Sequence, residues 1–531
     1  MITTGEKNRS VAILEIGSTG IRLLVAEILP GGDWRVLDRA GKPVALGRDV
    51  FTTGQVSRES FLECLSVLRN FRELIAGWGI EDGDVHVIAT SALRAARNRE
   101  IFVDRVHQET GFSLSIVEGI EENRLMYLAV RFAIKDDLPS LWRGNTIILE
   151  IGGGSTEIML LRRGKMVAAH TLRIGTILID QQSRLANGSW GEASEGKDAE
   201  ESIHTSRVQE RYLSENIRNT AELLSTEMEL SHVRTFVVAG SDARIAAGHL
   251  GTELNENCRI IDRDKFISFA EEIRHYTPEE CMQKLHITFE DAEVFIPGIL
   301  VYKLLLERTG AAQVVVPHVS IREGLLIDLA QGVDPVLQEE FYSQVVASAV
   351  NLGRKYHYDE AHNRHVANLC MTIFDALLHE HGMNRRERMM LEAAAILHDI
   401  GMFIRGGGHH KHGQYIVSNS EIFGLHKEEL DIIGNVIRYH RSAPPSFQDI
   451  EYIALQREDR ILVLKMASIL RVADALDRGH SQQIRRIRVE RRKEIIVLHT
   501  EENRDLSLEF LGLEEKAGLF QEVFGYKVIL S

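Results

Sequence analysis

The tetrapeptide Leu-Glu-Ile-Gly occurs twice, at residues 14–17 within "VAILEIGSTGIRLLVAEI" and at residues 149–152 within "TIILEIGGGSTEIMLLRRGK". Each copy ends one apolar run, turns through small residues and enters a second apolar run. That pattern predicts a strand, a tight glycine turn and a second strand. Such a turn exposes successive backbone N–H groups, which suit phosphate oxygens, and glycine lets a ligand approach the chain closely. Gly17 and Gly152 to Gly154 supply the small residues, and Ser18, Thr19, Ser155 and Thr156 add hydroxyl donors. Glu15 and Glu150 stand just before the turns and suit a hard cation that bridges to phosphate. Two such turns predict a phosphate clamp with one jaw from each copy.

The surrounding sequence repeats in the same way. Residues 11–40 read as strands, "FLECLSVLRNFRELIAGW" as a helix and "DVHVIAT" as a strand. From Thr146 the programme recurs, with a further strand "TFVVAG" ending at Gly240. The two α/β halves close near "SIREGLLIDLA", and "QGVDPV" reads as a linker. From about Glu339 to Arg478 helical patterns such as "HVANLCMTIFDALL" take over. From Ile484, "IRRIRVERRKEIIVLHT" alternates as strands whose arginines form a solvated face. The expected divisions are residues 1–135, 136–330, 339–483 and 484–531. A chain of 531 residues requires this kind of subdivision.

No apolar run is long enough to span a bilayer. The four cysteines, Cys64, Cys258, Cys281 and Cys370, show no paired metal spacing. A reducing cytoplasmic location and no membrane partner are therefore expected. The formal net charge of −15 argues against DNA as a partner. It leaves a polyanionic substrate open, since local arginines and metal ions override the global sign.

Taken in order, "LEIGSTGIRLL", "VIATSALRAARN", "VEGIEENRLMYLAV", "ILEIGGGSTEIML" and "REGLL" resemble the exopolyphosphatase/guanosine pentaphosphate phosphatase family, within the actin/Hsp70/sugar-kinase superfamily. The resemblance implies two actin-like (ribonuclease H-like) α/β lobes, then an all-α HD-type domain and a small β-rich tail. It implies release of terminal phosphate from polyphosphate or guanosine pentaphosphate, with Mg²⁺ or Mn²⁺, by a homodimer. By resemblance, Glu122 is the catalytic glutamate that activates water, with Glu121 as its fallback, and Arg94 contacts phosphate. Family members carry aspartate where Glu15 and Glu150 stand, which opens an alternative: a weakly catalytic or non-catalytic polyphosphate or alarmone sensor. An ATP-using kinase of the same superfamily is disfavoured, because Asp242 in "GSDARIAAG" would repel a nucleotide's phosphates.

In the helical region His362, His398, His440 and Asp474 each continue an apolar helical stripe, and Asp399 adjoins His398. Several such groups facing one core predict a polar cluster that needs a cation. Their order resembles the HD phosphohydrolase superfamily, which implies a divalent metal there, and His410 of "GGGHHKHG" matches its optional extra ligand. A second alternative follows: a nucleotide phosphohydrolase acting through this domain.

Overall fold

The computed structural model describes residues 8–134, 143–179, 181, 215, 217–331, 335–441, 443–446, 448–500 and 505–531. They form two compact units, Met1–Glu339 and Glu340–Ser531. The expected boundary at 135/136 lies outside the described residues, as do residues 332–334 of the "QGVDPV" linker.

The first unit holds two sheets. Strands β1 (Arg9–Ile16), β2 (Gly20–Ile28) and β3 (Trp34–Pro43) form an antiparallel meander. Strands β4 (Val85–Ala89) and β5 (Leu114–Ile116) extend it in parallel, giving the order β3-β2-β1-β4-β5. Strands β6 (Asn145–Ile151), β7 (Thr156–Arg162) and β8 (Lys165–Leu172) repeat the meander. Strand β9 (Val233–Ala239) joins β6 in parallel. The hairpin β10 (Thr252–Asn255) and β11 (Cys258–Asp262) lies beside β12 (Gln313–Pro317). The second order is β10-β11-β12-β9-β6-β7-β8. Its segment β8-β7-β6-β9-β12 reproduces the first sheet, so the unit consists of two actin-like lobes. The strands ahead of both repeated turns, β1 and β6, lie inside their sheets, and their cores are buried. That placement explains their near-continuous apolar runs.

The helix expected in "FLECLSVLRNFRELIAGW" spans Arg58–Gly77, begins on a Ser57 cap and buries Leu65, Leu68, Phe71 and Ile75 against the first sheet. Helix Gly119–Ile134 carries Glu121 and Glu122 in its first turn. Helix Ile321–Gln331 packs on it so closely that a Cβ on Gly324 would lie 2.0 Å from the Leu125 carbonyl oxygen.

The second unit is built on helices Glu360–Ala376, Arg385–Leu397, His409–Ser418, Lys427–Arg438 and Arg457–Ala475. Strands β13 (Arg488–Arg492), β14 (Ile495–His499) and β15 (Lys527–Leu530) form a small sheet in that order. Helices Ser507–Lys516 and Gly518–Phe524 connect β14 to β15. The arginines of β13 are exposed, as expected. The tail does not stand apart, however: Ile484, Ile496, Leu498, Phe520 and Leu530 share one hydrophobic core with the helices. Alternation within the tail locates its strands but carries no sign of what they pack on. Among the described residues no helix is long and apolar enough to cross a membrane.

Phe520, 1% exposed, tests this joint core. Phe520→Ala should destabilise the second unit by about 3–5 kcal/mol, read as a lower denaturant midpoint with an unchanged slope. A surface-like effect below about 0.5 kcal/mol would separate the tail from the helices.

Candidate functional site

The two repeated turns close in the same way. Gly17 donates its N–H to the Gly20 carbonyl at 2.9 Å, and Gly152 donates to the Ser155 carbonyl at 2.8 Å. They also meet: a Cβ on Gly153 would lie 2.8 Å from Ser18 Cβ, so only glycine fits there without displacement. A cleft opens between them, lined by Gly17, Ser18, Thr19, Gly152, Gly153 and Ser155. Gly154 is turned onto the Phe51 ring, and the Thr156 hydroxyl donates to the Ile174 carbonyl. These two expected donors thus build the jaw rather than its surface.

Carboxylates converge on the same cleft: Glu15, Glu122, Glu150, Glu157, Asp242 and Asp291. Glu122 is buried, and Arg94 Nη1 donates to its Oε1 and to the Val117 carbonyl. Arg94 therefore holds Glu122 from behind and is not among the lining residues. Glu121 turns away to Arg124, which also binds Asp328. Burial raises the Glu122 pKa, Arg94 opposes that shift, and the Glu15 charge adds to it.

The sequence reading did not include Glu157, Arg22, Arg244 or Arg322. Ser155 Oγ donates to Glu157 Oε1 at 2.7 Å. Glu157 interrupts the otherwise apolar β7, a signal open to notice. Cross-strand register separates the two jaws: Glu15 faces Arg22, whereas Glu150 faces Glu157. Arg322 Nε lies 3.1 Å from Glu15 Oε2, and Arg22 Nη1 lies 3.9 Å from Oε1. Among the described residues no lysine or arginine is ion-paired to Glu150 or Glu157. Burial, then the charges of Glu122 and Glu15, push Glu150 up to about 8. Burial and the neighbouring Glu122 and Glu150 push Glu157 well above the carboxylate range. Burial, then Asp291, raises Asp242 to about 8. Burial thus weakens the repulsion of phosphate expected of Asp242.

In the second unit four histidines converge, each with Nδ1 turned to an outer oxygen. The Nδ1 of His362 faces Asp477 Oδ2 at 2.8 Å, that of His398 the Ala395 carbonyl at 2.8 Å, and that of His440 the Ile437 carbonyl at 2.6 Å. His409 Nδ1 faces the Gly406 carbonyl at 3.0 Å. Each ring therefore turns Nε2 inward, the arrangement that fixes metal-binding imidazoles. The Nε2 atoms of His362 and His398 are buried without a hydrogen-bond partner. They lie 3.7 Å and 3.9 Å from Asp474 Oδ1, beyond hydrogen-bond reach and wide enough for an ion between them. Asp399 presents Oδ1 to His409 Nε2 at 3.0 Å and to His440 Nε2 at 3.7 Å, with Oδ2 3.8 Å from His398 Nε2. His362, His398 and Asp474 form one compact ligand group, and Asp399, His409 and His440 another. The structure puts His409 in the place expected of His410. The helix spans His409–Ser418 behind Gly408, whose φ is +80°, and its first residue, His409, faces Asp399 and His440. His410 lies beside the cluster, lowered to about 4 by burial and by His409. Asp477 and His480, whose ring stacks on His362 with centroids 3.6 Å apart, were not read from sequence.

Comparison with known proteins agrees with this architecture. The Ppx/GppA phosphatase family matches residues 24–332, and its domain III matches residues 346–516. A guanosine-5'-triphosphate,3'-diphosphate pyrophosphatase of Aliivibrio fischeri is 22% identical over 466 residues, covering 85% of each chain. One from Pseudoalteromonas atlantica is 22% identical, covering 87% of this chain and 85% of that protein. The crystal structure of an exopolyphosphatase from Cytophaga hutchinsonii has a TM-score of 0.52 at 16% identity, covering 61% of this chain and 99% of the other.

The raised Glu150 pKa fixes a pH dependence. Between the unfolded carboxylate value of about 4.3 and about 8, the folded protein keeps a proton that the unfolded chain has released. Stability from this group is therefore full below the lower value and falls as pH rises to the upper. Glu150→Gln removes the titration. Its melting temperature in metal-free buffer should gain on the wild type between pH 5 and pH 8; a constant offset would place Glu150 in a solvated setting.

Proposed function

This chain belongs to the Ppx/GppA phosphatase family, and from that we propose that it releases terminal phosphate from guanosine pentaphosphate or inorganic polyphosphate in the cleft of the first unit. The observation that carries the reading is Glu122, buried, held by Arg94 and exposed to the cleft between two glycine turns. Backbone N–H groups of the turns, with Ser18, Thr19 and Ser155, bind phosphate oxygens. Arg22, Arg244 and Arg322 line the same cleft and supply positive charge to the polyanion. Glu122 orients a water molecule for in-line attack and accepts its proton, and a pKa raised by burial suits that task. Glu150, half-buried, and Glu157, buried, have no ion-paired lysine or arginine among the described residues and fit Mg²⁺ or Mn²⁺, which when bound supplies charge neutralisation to the phosphates. A metal there is shared with substrate, since the compact three-ligand groups among the described residues all lie in the second unit.

Phosphate release from guanosine pentaphosphate and from long-chain polyphosphate, with Mg²⁺ or Mn²⁺, tests the assignment. Glu122→Gln should lower turnover by roughly 10²–10⁴ while substrate binding stays near wild type. Equal turnover would remove Glu122 from the mechanism. Absence of release from both substrates, with ligand still bound, would favour the sensor reading.

We also propose that the second unit is an HD-like divalent-metal site, on the strength of its four inward Nε2 atoms. Mn²⁺ at a hundred times its dissociation constant should stabilise the protein by about 2.7 kcal/mol. His398→Ala should abolish the part of that gain that arises in this unit. Loss of phosphate release in His398→Ala, but not in Glu122→Gln, would move the chemistry to the second unit.

A further inference from the structure

One ligand of the second-unit cluster already has a cation. Lys516, the last residue of helix Ser507–Lys516, places Nζ on Asp474 Oδ2. The other oxygen of that carboxylate, Oδ1, faces His362 and His398. The contact is built rather than incidental. The Lys516 carbonyl accepts from Arg471 Nε at 3.0 Å, fixing the helix end. Leu513 on the same helix is buried in the core, and Gly512 lies against the Ala475 carbonyl, where a Cβ would come within 3.0 Å. Lys516 is itself only 19% exposed in its side chain, and Asp474 only 9%. A lysine buried to that degree is held for its charge, since an uncompensated carboxylate in such a core is costly.

We propose that Lys516 is a resident counter-cation of the cluster, competing with a divalent ion for Asp474, so that helix Ser507–Lys516 sets the metal affinity of the second unit. The inference rests on the metal-site reading above. With the cluster empty, Lys516 neutralises Asp474 and keeps the aspartate folded inward. When a divalent ion enters, the ammonium repels it at short range. Asp474 is then shared or surrendered, and the lysine becomes free to face solvent or an anionic ligand. Removing one positive charge this close to a dication should strengthen binding roughly tenfold or more.

The test uses the full chain stripped with chelator and titrated with Mn²⁺, followed by calorimetry and thermal melting. The second-unit component is the part of the isotherm that His398→Ala abolishes. Lys516→Met should bind that component at least tenfold more tightly. It should melt below the wild type without Mn²⁺ and gain more from Mn²⁺ than the wild type does. Lys516→Arg, which keeps the charge, should stay near wild type. If His398→Ala abolishes nothing, the metal-site reading itself fails. If the component exists and Lys516→Met binds equally or more weakly, this inference alone fails. A measurement on the unaltered protein covers the case of a variant that does not fold. Acylation of Lys516, followed by peptide mass spectrometry, should accelerate when Mn²⁺ saturates the protein and should not respond to Mn²⁺ in His398→Ala. An unchanged rate in the wild type would overturn the proposal.

Discussion

The approach of two glycine turns, until Gly153 meets Ser18, is the constraint on which the first unit depends. It lets both jaws present backbone donors to one small volume, and it also forces their carboxylates together. Glu15, Glu122, Glu150 and Glu157 then line one cleft. Like charges in such a space must find counter-ions or take up protons. The arginines meet part of the demand: Arg94 on Glu122, and Arg22 with Arg322 on Glu15. The remainder appears as the raised pKa values of Glu150 and Glu157. A cleft in that state is poised to exchange protons for added positive charge.

The second unit meets the same difficulty with different means. Its two inward aspartates are surrounded by imidazoles whose outer nitrogens are tied to carbonyls or to Asp477. Burial and neighbouring charge then act in opposite directions on different groups. His440, fully enclosed beside His398, is lowered to about 3, while the surrounding cations hold Asp474 well below the usual carboxylate range. Asp477 and Asp399 act the other way on His362 and His409, whose pKa values are raised, so only His398 and His440 are held toward the neutral form that ligates metal. Lys516 belongs to the same solution, supplied from a segment that is remote in sequence.

Much of this was legible before any coordinates, for reasons that can be named. The repeated tetrapeptide located both hairpin turns, because a buried strand needs a continuous apolar run and the turn needs small residues. Helical stripes placed His362, His398, His440 and Asp474 on inward faces, and all four do face one cluster. The helix phase after Gly408 was not legible, because a one-residue change in where the helix begins exchanges His409 for His410. Arg22, Arg244 and Arg322 were invisible for another reason. Single arginines in strands and helices carry no periodic signal, and only the folded lobes bring these three to one cleft. The tail was separated in sequence because its strands alternate cleanly, yet its inward residues complete the helical core.

The duplication is also not symmetric, and the difference lies in one position of each hairpin. Residues directly opposite on antiparallel strands share a face and interact. In the first jaw that pair is Glu15 with Arg22, and in the second it is Glu150 with Glu157. The first carboxylate is thereby committed to arginines, which Arg322 reinforces from a helix that also packs on the Glu122 helix. The second has an acidic neighbour and burial against it, so its anionic form is favoured only when a cation arrives. Two copies of one turn therefore supply unlike electrostatic halves: a jaw whose carboxylate is paired with arginines, and a jaw whose carboxylates face each other across the strands.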